Sequence, residues 1–84
     1  MKHAGSESLQ NVSELLQAIR LKEGIREKKI GIFYRKSKSF LHFHEDLKGI
    51  FADLSVGSDF DRYPVNTRTE WNALLSAIDR VLKA

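Results

Sequence analysis

The sequence predicts an α+β fold: a two-layer α-β-β-β-α domain, in which a three-stranded antiparallel meander has both helices packed on one face. Apolar residues recur at helical spacing near both ends of the 84-residue chain. Between them, β-branched and aromatic residues cluster in three runs that are joined by short polar turns. Short turns join strands antiparallel, and this length has room for one domain, residues 1–84.

Two capping boxes predict where the helices begin. Residues 1–8 are small and polar, which favours a disordered tail. Asn11 and Glu14 have the spacing of a capping box before the first helix, and Thr67 and Glu70 have it before the second. The apolar stripe of the second helix consists of Trp71, Leu74, Leu75, Ile78, Val81 and Leu82.

The strands are predicted over residues 30–35, 40–45 and 50–56, and residues 57–66 are predicted to form a loop. Side chains alternate between the two faces of a strand. The face that the helices cover is then predicted to carry Ile30, Ile32, Leu41, Phe43, Ile50, Ala52 and Leu54.

The other face of the sheet is predicted to stay open, and it provides most of the candidate binding residues. An exposed aromatic patch often marks an interaction site. The sequence therefore favours a binding or protein-interaction module, with self-association through this face as one form of it. The residues of this face are Phe33, Arg35, Phe40, His42, His44, Phe51, Asp53 and Ser55.

Nucleic acid is a second predicted partner. Residues 20–38 contain eight basic and two acidic residues, and Lys36 and Lys38 lie in the first strand turn beside Arg35. Aromatic side chains beside basic groups stack bases and hold phosphates in single-strand binders. Phe33 and Phe40 would provide the stacking surface.

A metal-dependent enzyme is the third hypothesis. His42 and His44 fall on the same face of one strand, and Asp53 lies on the next strand. Two imidazoles and a carboxylate suit zinc or iron with open coordination positions. Partly buried histidines that only bond their neighbours fit the same pattern, so these residues are candidates and no metal is assigned.

Catalysis and cofactor binding are disfavoured. The chain has no cysteine and no phosphate-binding glycine loop, and a three-stranded sheet offers little concavity for a substrate. The absence of cysteine, of a signal-peptide pattern and of a long apolar run favours a cytoplasmic protein without a membrane partner.

Three short segments resemble a family of short bacterial proteins without an assigned activity. The resemblance extends over about residues 11–84. It implies a compact α-β-β-β-α domain, and it supplies no catalytic residues to transfer. The segments are Phe40-Leu41-His42-Phe43-His44-Glu45-Asp46, Gly49-Ile50-Phe51-Ala52-Asp53-Leu54 and Tyr63-Pro64-Val65-Asn66-Thr67.

Overall fold

The computed structural model describes the backbone of residues 2–84 and the side chains of residues 3–84, and it has an α+β fold. Among the described residues, five strands form an antiparallel meander in chain order, and a short N-terminal strand pairs with the third of them. The helices are α1 (Ser6–Asn11), α2 (Ser13–Arg20) and α3 (Arg68–Lys83). The strands are β1 (Lys2–His3), β2 (Arg26–Lys29), β3 (Ile32–Arg35), β4 (Lys38–Asp46), β5 (Gly49–Val56) and β6 (Asp59–Pro64).

The prediction of a three-stranded sheet was wrong, because two strands carry little of the usual strand signal. β2 consists of four charged residues, and three of the six residues of β6 are charged. Both lie at edges of the sheet. Charged residues are common on edge strands, where they discourage pairing with other chains. The predicted loop over residues 57–66 is therefore mostly a strand.

The N-terminal region also differs from the predicted tail and capping box. Met1 lies outside the described residues, Lys2–His3 pair with β4, and α1 begins at Ser6. Helix α2 follows a non-helical Val12 and has no side-chain cap, so Asn11 does not cap it as predicted. The second capping box is present, because Thr67 Oγ1 accepts a hydrogen bond from the backbone N–H of Glu70 at 3.2 Å.

The core lies between the helices and one face of the sheet. Phe33, Leu41 and Leu54 are direct neighbours on three adjacent strands. They form one hydrophobic cluster with buried residues of α2 and α3. Within residues 3–84, the cluster consists of Val12, Leu15, Leu16, Ile19, Phe33, Phe40, Leu41, Phe43, Ala52, Leu54, Val65, Leu74, Ala77 and Ile78.

The predicted register of the first strand was off by one residue. Phe33 is 1% exposed in the core, whereas Ile30 is 64% exposed and Ile32 faces away from the core beside His42. Ile30 lies in the tight turn between β2 and β3, next to Gly31, whose φ is +80°. A bulge between β3 and β4 leaves Phe40 unpaired, and this bulge is where Phe40 turns into the core, 3% exposed.

None of the helices within residues 2–84 combines the length and the apolar character needed to cross a membrane. The cytoplasmic location stays a prediction.

Candidate metal-binding site on the open sheet face

The sheet has one face turned away from the helices, which we call the open face. Strand pairing places Ile32, His42, Asp53 and Arg62 side by side in one row across four strands. His3, His44, Phe51 and Pro64 form the neighbouring row. The open face consists of His3, Ile32, His42, His44, Phe51, Asp53, Ser55, Phe60, Arg62 and Pro64.

The candidate residues from the sequence are divided between the core, the open face and the turn between β3 and β4. Phe33 and Phe40 belong to the core, so their predicted exposure on the open face was wrong. Phe51 is half-buried on the open face, opposite His44. The basic residues lie around the turn between β3 and β4: Lys36 and Lys38 are exposed, and the Arg35 guanidinium donates a hydrogen bond to the Val81 carbonyl at 3.5 Å.

His42, His44 and Asp53 meet at the centre of the open face. His42 Nδ1 lies 3.0 Å from His44 Nε2, and His44 Nε2 lies 3.2 Å from Asp53 Oδ2. One potential ligand atom from each residue falls within 4.8 Å of the others. The pairing of β4 with β5 creates this arrangement, because it sets His42 directly opposite Asp53 and His44 two residues further along.

The short distances indicate where the protons lie in the metal-free cluster. His44 Nε2 lies beside a carboxylate oxygen of Asp53, and this neighbour favours the tautomer of His44 with its proton on Nε2. In that tautomer the His44 Nε2–H group donates to His42 Nδ1, and neutral His42 carries its own proton on Nε2. His44 Nδ1 is left as a buried acceptor with no hydrogen-bond partner among the described residues.

Arg62 neutralises the carboxylate of Asp53. Its Nε and Nη2 atoms donate to the two oxygens of Asp53 at 2.9 and 3.2 Å. These hydrogen bonds lower the pKa of Asp53 below its usual value. The carboxylate is therefore ionised at neutral pH and available as an anionic ligand, although Arg62 competes for it.

The environment of His42 favours its neutral form. The Phe60 ring packs at 5.0 Å from the His42 ring, between centroids, and Phe60 stays 45% exposed. Burial lowers the pKa of His42, and the electrostatic effect of the neighbouring His44 ring lowers it further. A neutral imidazole is the form that binds a metal ion.

A cationic cleft lies at the end of the sheet formed by β2 and β3. Its volume is about 380 Å³, and the Lys28 ammonium lies 4.7 Å from the centre of the Tyr34 ring. The described residues that line it include three basic and no acidic side chains. They are Gly24, Ile25, Arg26, Lys28, Tyr34, Lys36 and Ser37.

Sequence reasoning missed three residues of the site: His3, Phe60 and Arg62. His3 was assigned to the tail, whereas its ring centroid lies 5.1 Å from that of His44. Phe60 and Arg62 were assigned to a loop, and they belong to β6. The pair Gly57-Ser58 after a strand was the available signal, because such a pair favours a two-residue hairpin turn and a following strand.

Comparison of the chain with protein-family models, with curated proteins and with solved structures gave no match. The resemblance to a bacterial family stays a prediction, and function has to be inferred from the geometry.

Proposed function

We propose that this chain is a small binding module that acts through its open face, and that its ligand there is a divalent transition-metal ion. The observation that carries the proposal is the convergence of His42, His44 and Asp53, whose ligand atoms lie within 4.8 Å of one another. Imidazole nitrogen and carboxylate oxygen together suit zinc and its neighbours in the first transition row.

The spacing of the ligand atoms supports a four-coordinate ion. Zinc binds nitrogen and oxygen at about 2.0–2.2 Å, so neighbouring ligand atoms of a tetrahedral site lie about 3.3–3.6 Å apart. Two distances in the cluster, 3.0 and 3.2 Å, already come close to this range. An ion would take the place of the proton on His44 Nε2, and small side-chain movements would complete the geometry.

Two features limit the affinity of this site. Arg62 binds both oxygens of Asp53, so an ion has to share or displace that ion pair. When His44 binds metal through Nε2, its proton moves to Nδ1, which is buried without an acceptor among the described residues. Metal-binding histidines usually donate that second N–H. The site therefore fits an exchangeable ion better than a permanent structural one.

Zinc titration by calorimetry tests the proposal. We expect His42→Gln and Asp53→Asn each to weaken zinc binding by at least about tenfold, since even residues that only orient metal ligands contribute about 10–100-fold. Asp59→Asn is the matched control, because it removes the same charge from an exposed position at the end of β6. Equal affinity in all four proteins, or no zinc binding by the wild type, would contradict the proposal.

Single-stranded nucleic acid is a second candidate ligand, and the cationic cleft favours it. Arg26, Lys28 and Lys36 can contact phosphates, and Tyr34 offers an aromatic ring beside them. The stacking surface thus differs from the predicted one, because Phe33 and Phe40 are buried.

Salt dependence separates this candidate from the first. Three phosphate contacts predict a slope of about −2 for the logarithm of the association constant against the logarithm of salt. Lys28→Gln with Lys36→Gln should flatten the slope by about 1.4. Tyr34→Ala should cost about 1–3 kcal/mol of affinity and leave the slope unchanged. A steep slope with no effect of Tyr34→Ala would indicate a basic surface without a base-binding site.

A further inference from the structure

The N-terminal strand brings a third imidazole to the proposed metal site. His3 lies directly opposite His44 in the pairing of β1 with β4. Its ring centroid is 5.1 Å from that of His44 and 6.1 Å from that of His42. The His3 side chain is exposed, so its ring can rotate without disturbing the core.

The arrangement of the three rings fits shared coordination. His42 and His44 are also 5.1 Å apart between centroids, so the three rings form a triangle with two sides of 5.1 Å and a third side, between His3 and His42, of 6.1 Å. In a tetrahedral site with zinc–nitrogen bonds of about 2.0–2.1 Å, imidazole centroids lie about 5 Å apart. Asp53 completes a set of three nitrogen ligands and one oxygen ligand.

We infer that His3 is the fourth ligand of this site, and that metal binding therefore fixes the N-terminal strand on the sheet. The inference rests on the proposed metal site. β1 has only two residues. The next residue, Ala4, donates a backbone hydrogen bond to the Phe43 carbonyl at 3.1 Å. Such a short terminal segment opens easily. A metal–His3 bond would hold it in place.

Zinc binding and docking of the N-terminal strand strengthen each other equally, because the two equilibria are thermodynamically linked. If His3 raises the affinity for zinc by some factor, then zinc raises the docking equilibrium of the strand by the same factor. The Ala4 amide reports docking, because its hydrogen bond to Phe43 exists only when the segment lies on the sheet. Hydrogen exchange of this one amide therefore measures the coupling independently of the zinc affinity.

The experiment compares the full-length wild type with His3→Ala and with Glu7→Gln, a control in the same segment that leaves the cluster intact. We expect His3→Ala to weaken zinc binding by at least about tenfold. Zinc should slow the exchange of the Ala4 amide by a similar factor in the wild type and in Glu7→Gln, and should not slow it in His3→Ala. Nitrogen chemical shifts of the His3 ring in the wild type, with and without zinc, give a second measurement that needs no variant.

The outcomes separate this inference from the proposal on which it rests. One outcome is zinc binding that depends on His42 and Asp53 but is equally tight in His3→Ala, while zinc leaves the nitrogen chemical shifts of His3 unchanged in the wild type. That outcome would overturn the inference and leave the metal site standing. A wild type that binds no zinc would overturn both. Weaker binding in His3→Ala together with zinc-dependent protection of Ala4 supports the inference.

Discussion

Replacing His44 by isoleucine separates a structural role of the histidine cluster from a binding role. His44 is mostly buried, and its Nδ1 has no hydrogen-bond partner among the described residues. An unsatisfied buried polar group costs about 1–3 kcal/mol, whereas one hydrogen bond contributes about 0.5–1.5 kcal/mol net. Isoleucine has a similar volume and suits a strand. Asp53 would keep its two hydrogen bonds to Arg62.

The free energy of unfolding of metal-free His44→Ile should therefore equal that of the wild type or exceed it by up to about 2 kcal/mol. In urea, with a slope of about 1–3 kcal/mol per molar for a small protein, a gain of 1 kcal/mol raises the midpoint by roughly 0.3–1 M. Zinc binding should be lost in the same variant. Natural proteins tolerate such destabilising groups at functional sites.

A matched variant on the open face controls for strand propensity. Ser55→Ile places the same side chain at a half-buried position of β5, opposite Phe60, and leaves His42, His44 and Asp53 unchanged. An equal gain in the free energy of unfolding in both variants would show that the β-propensity of isoleucine alone causes the gain. A loss of more than about 1 kcal/mol in His44→Ile would refute the reasoning, because it would show that the cluster stabilises the fold.

Three further predictions concern the core and the effect of pH. Ile78→Ala should lower the free energy of unfolding by about 2–5 kcal/mol, because the side chain is fully buried. An unchanged midpoint in urea denaturation would show that Ile78 is not a core residue. Phe40→Glu should unfold the chain, with loss of its far-ultraviolet circular dichroism, because it places a charge in the core. Burial lowers the pKa of His42 in the folded chain below its ordinary value of 6.5. The unfolded chain therefore binds a proton at His42 more tightly than the folded chain does, and the free energy of unfolding falls as the pH drops from 6.5 through the lower folded pKa. The urea midpoint of metal-free protein should thus be lower at pH 5 than at pH 7.5, and His42→Gln should reduce that difference.

The sequence predicted elements whose burial pattern is simple. In β5, Ala52 and Leu54 alternate with Phe51, Asp53 and Ser55, and both are buried as predicted. The stripe of α3 likewise places Leu74 and Ile78 in the core. In both elements, one apolar face packs against one layer, so the period alone identifies it.

The first strand shows why the rest was not predictable. Ile32 and Phe33 are adjacent and both apolar, so alternation cannot decide which of them faces the core. The choice depends on the turn at Gly31 and on the bulge at Phe40, and both are set by tertiary structure. Because the register differs from the predicted one, Ile32 lies on the open face where Phe33 was predicted.

Part of the candidate site could be predicted from the sequence. Alternation along β4 predicted that His42 and His44 share a face, and the structure brings Asp53 to both. His3 and Arg62 come from segments without a recognised strand pattern, and only the pairing of β1 and β6 with their neighbours places them there.

Anomalous diffraction from crystals grown with zinc tests the central claim most directly. Data collected on both sides of the zinc absorption edge locate the ion without reference to affinity. We predict a peak within about 2.0–2.2 Å of His42 Nδ1, His44 Nε2 and an Asp53 oxygen. Crystals that contain zinc at other positions, with the contact between His44 Nε2 and Asp53 Oδ2 intact, would contradict the claim.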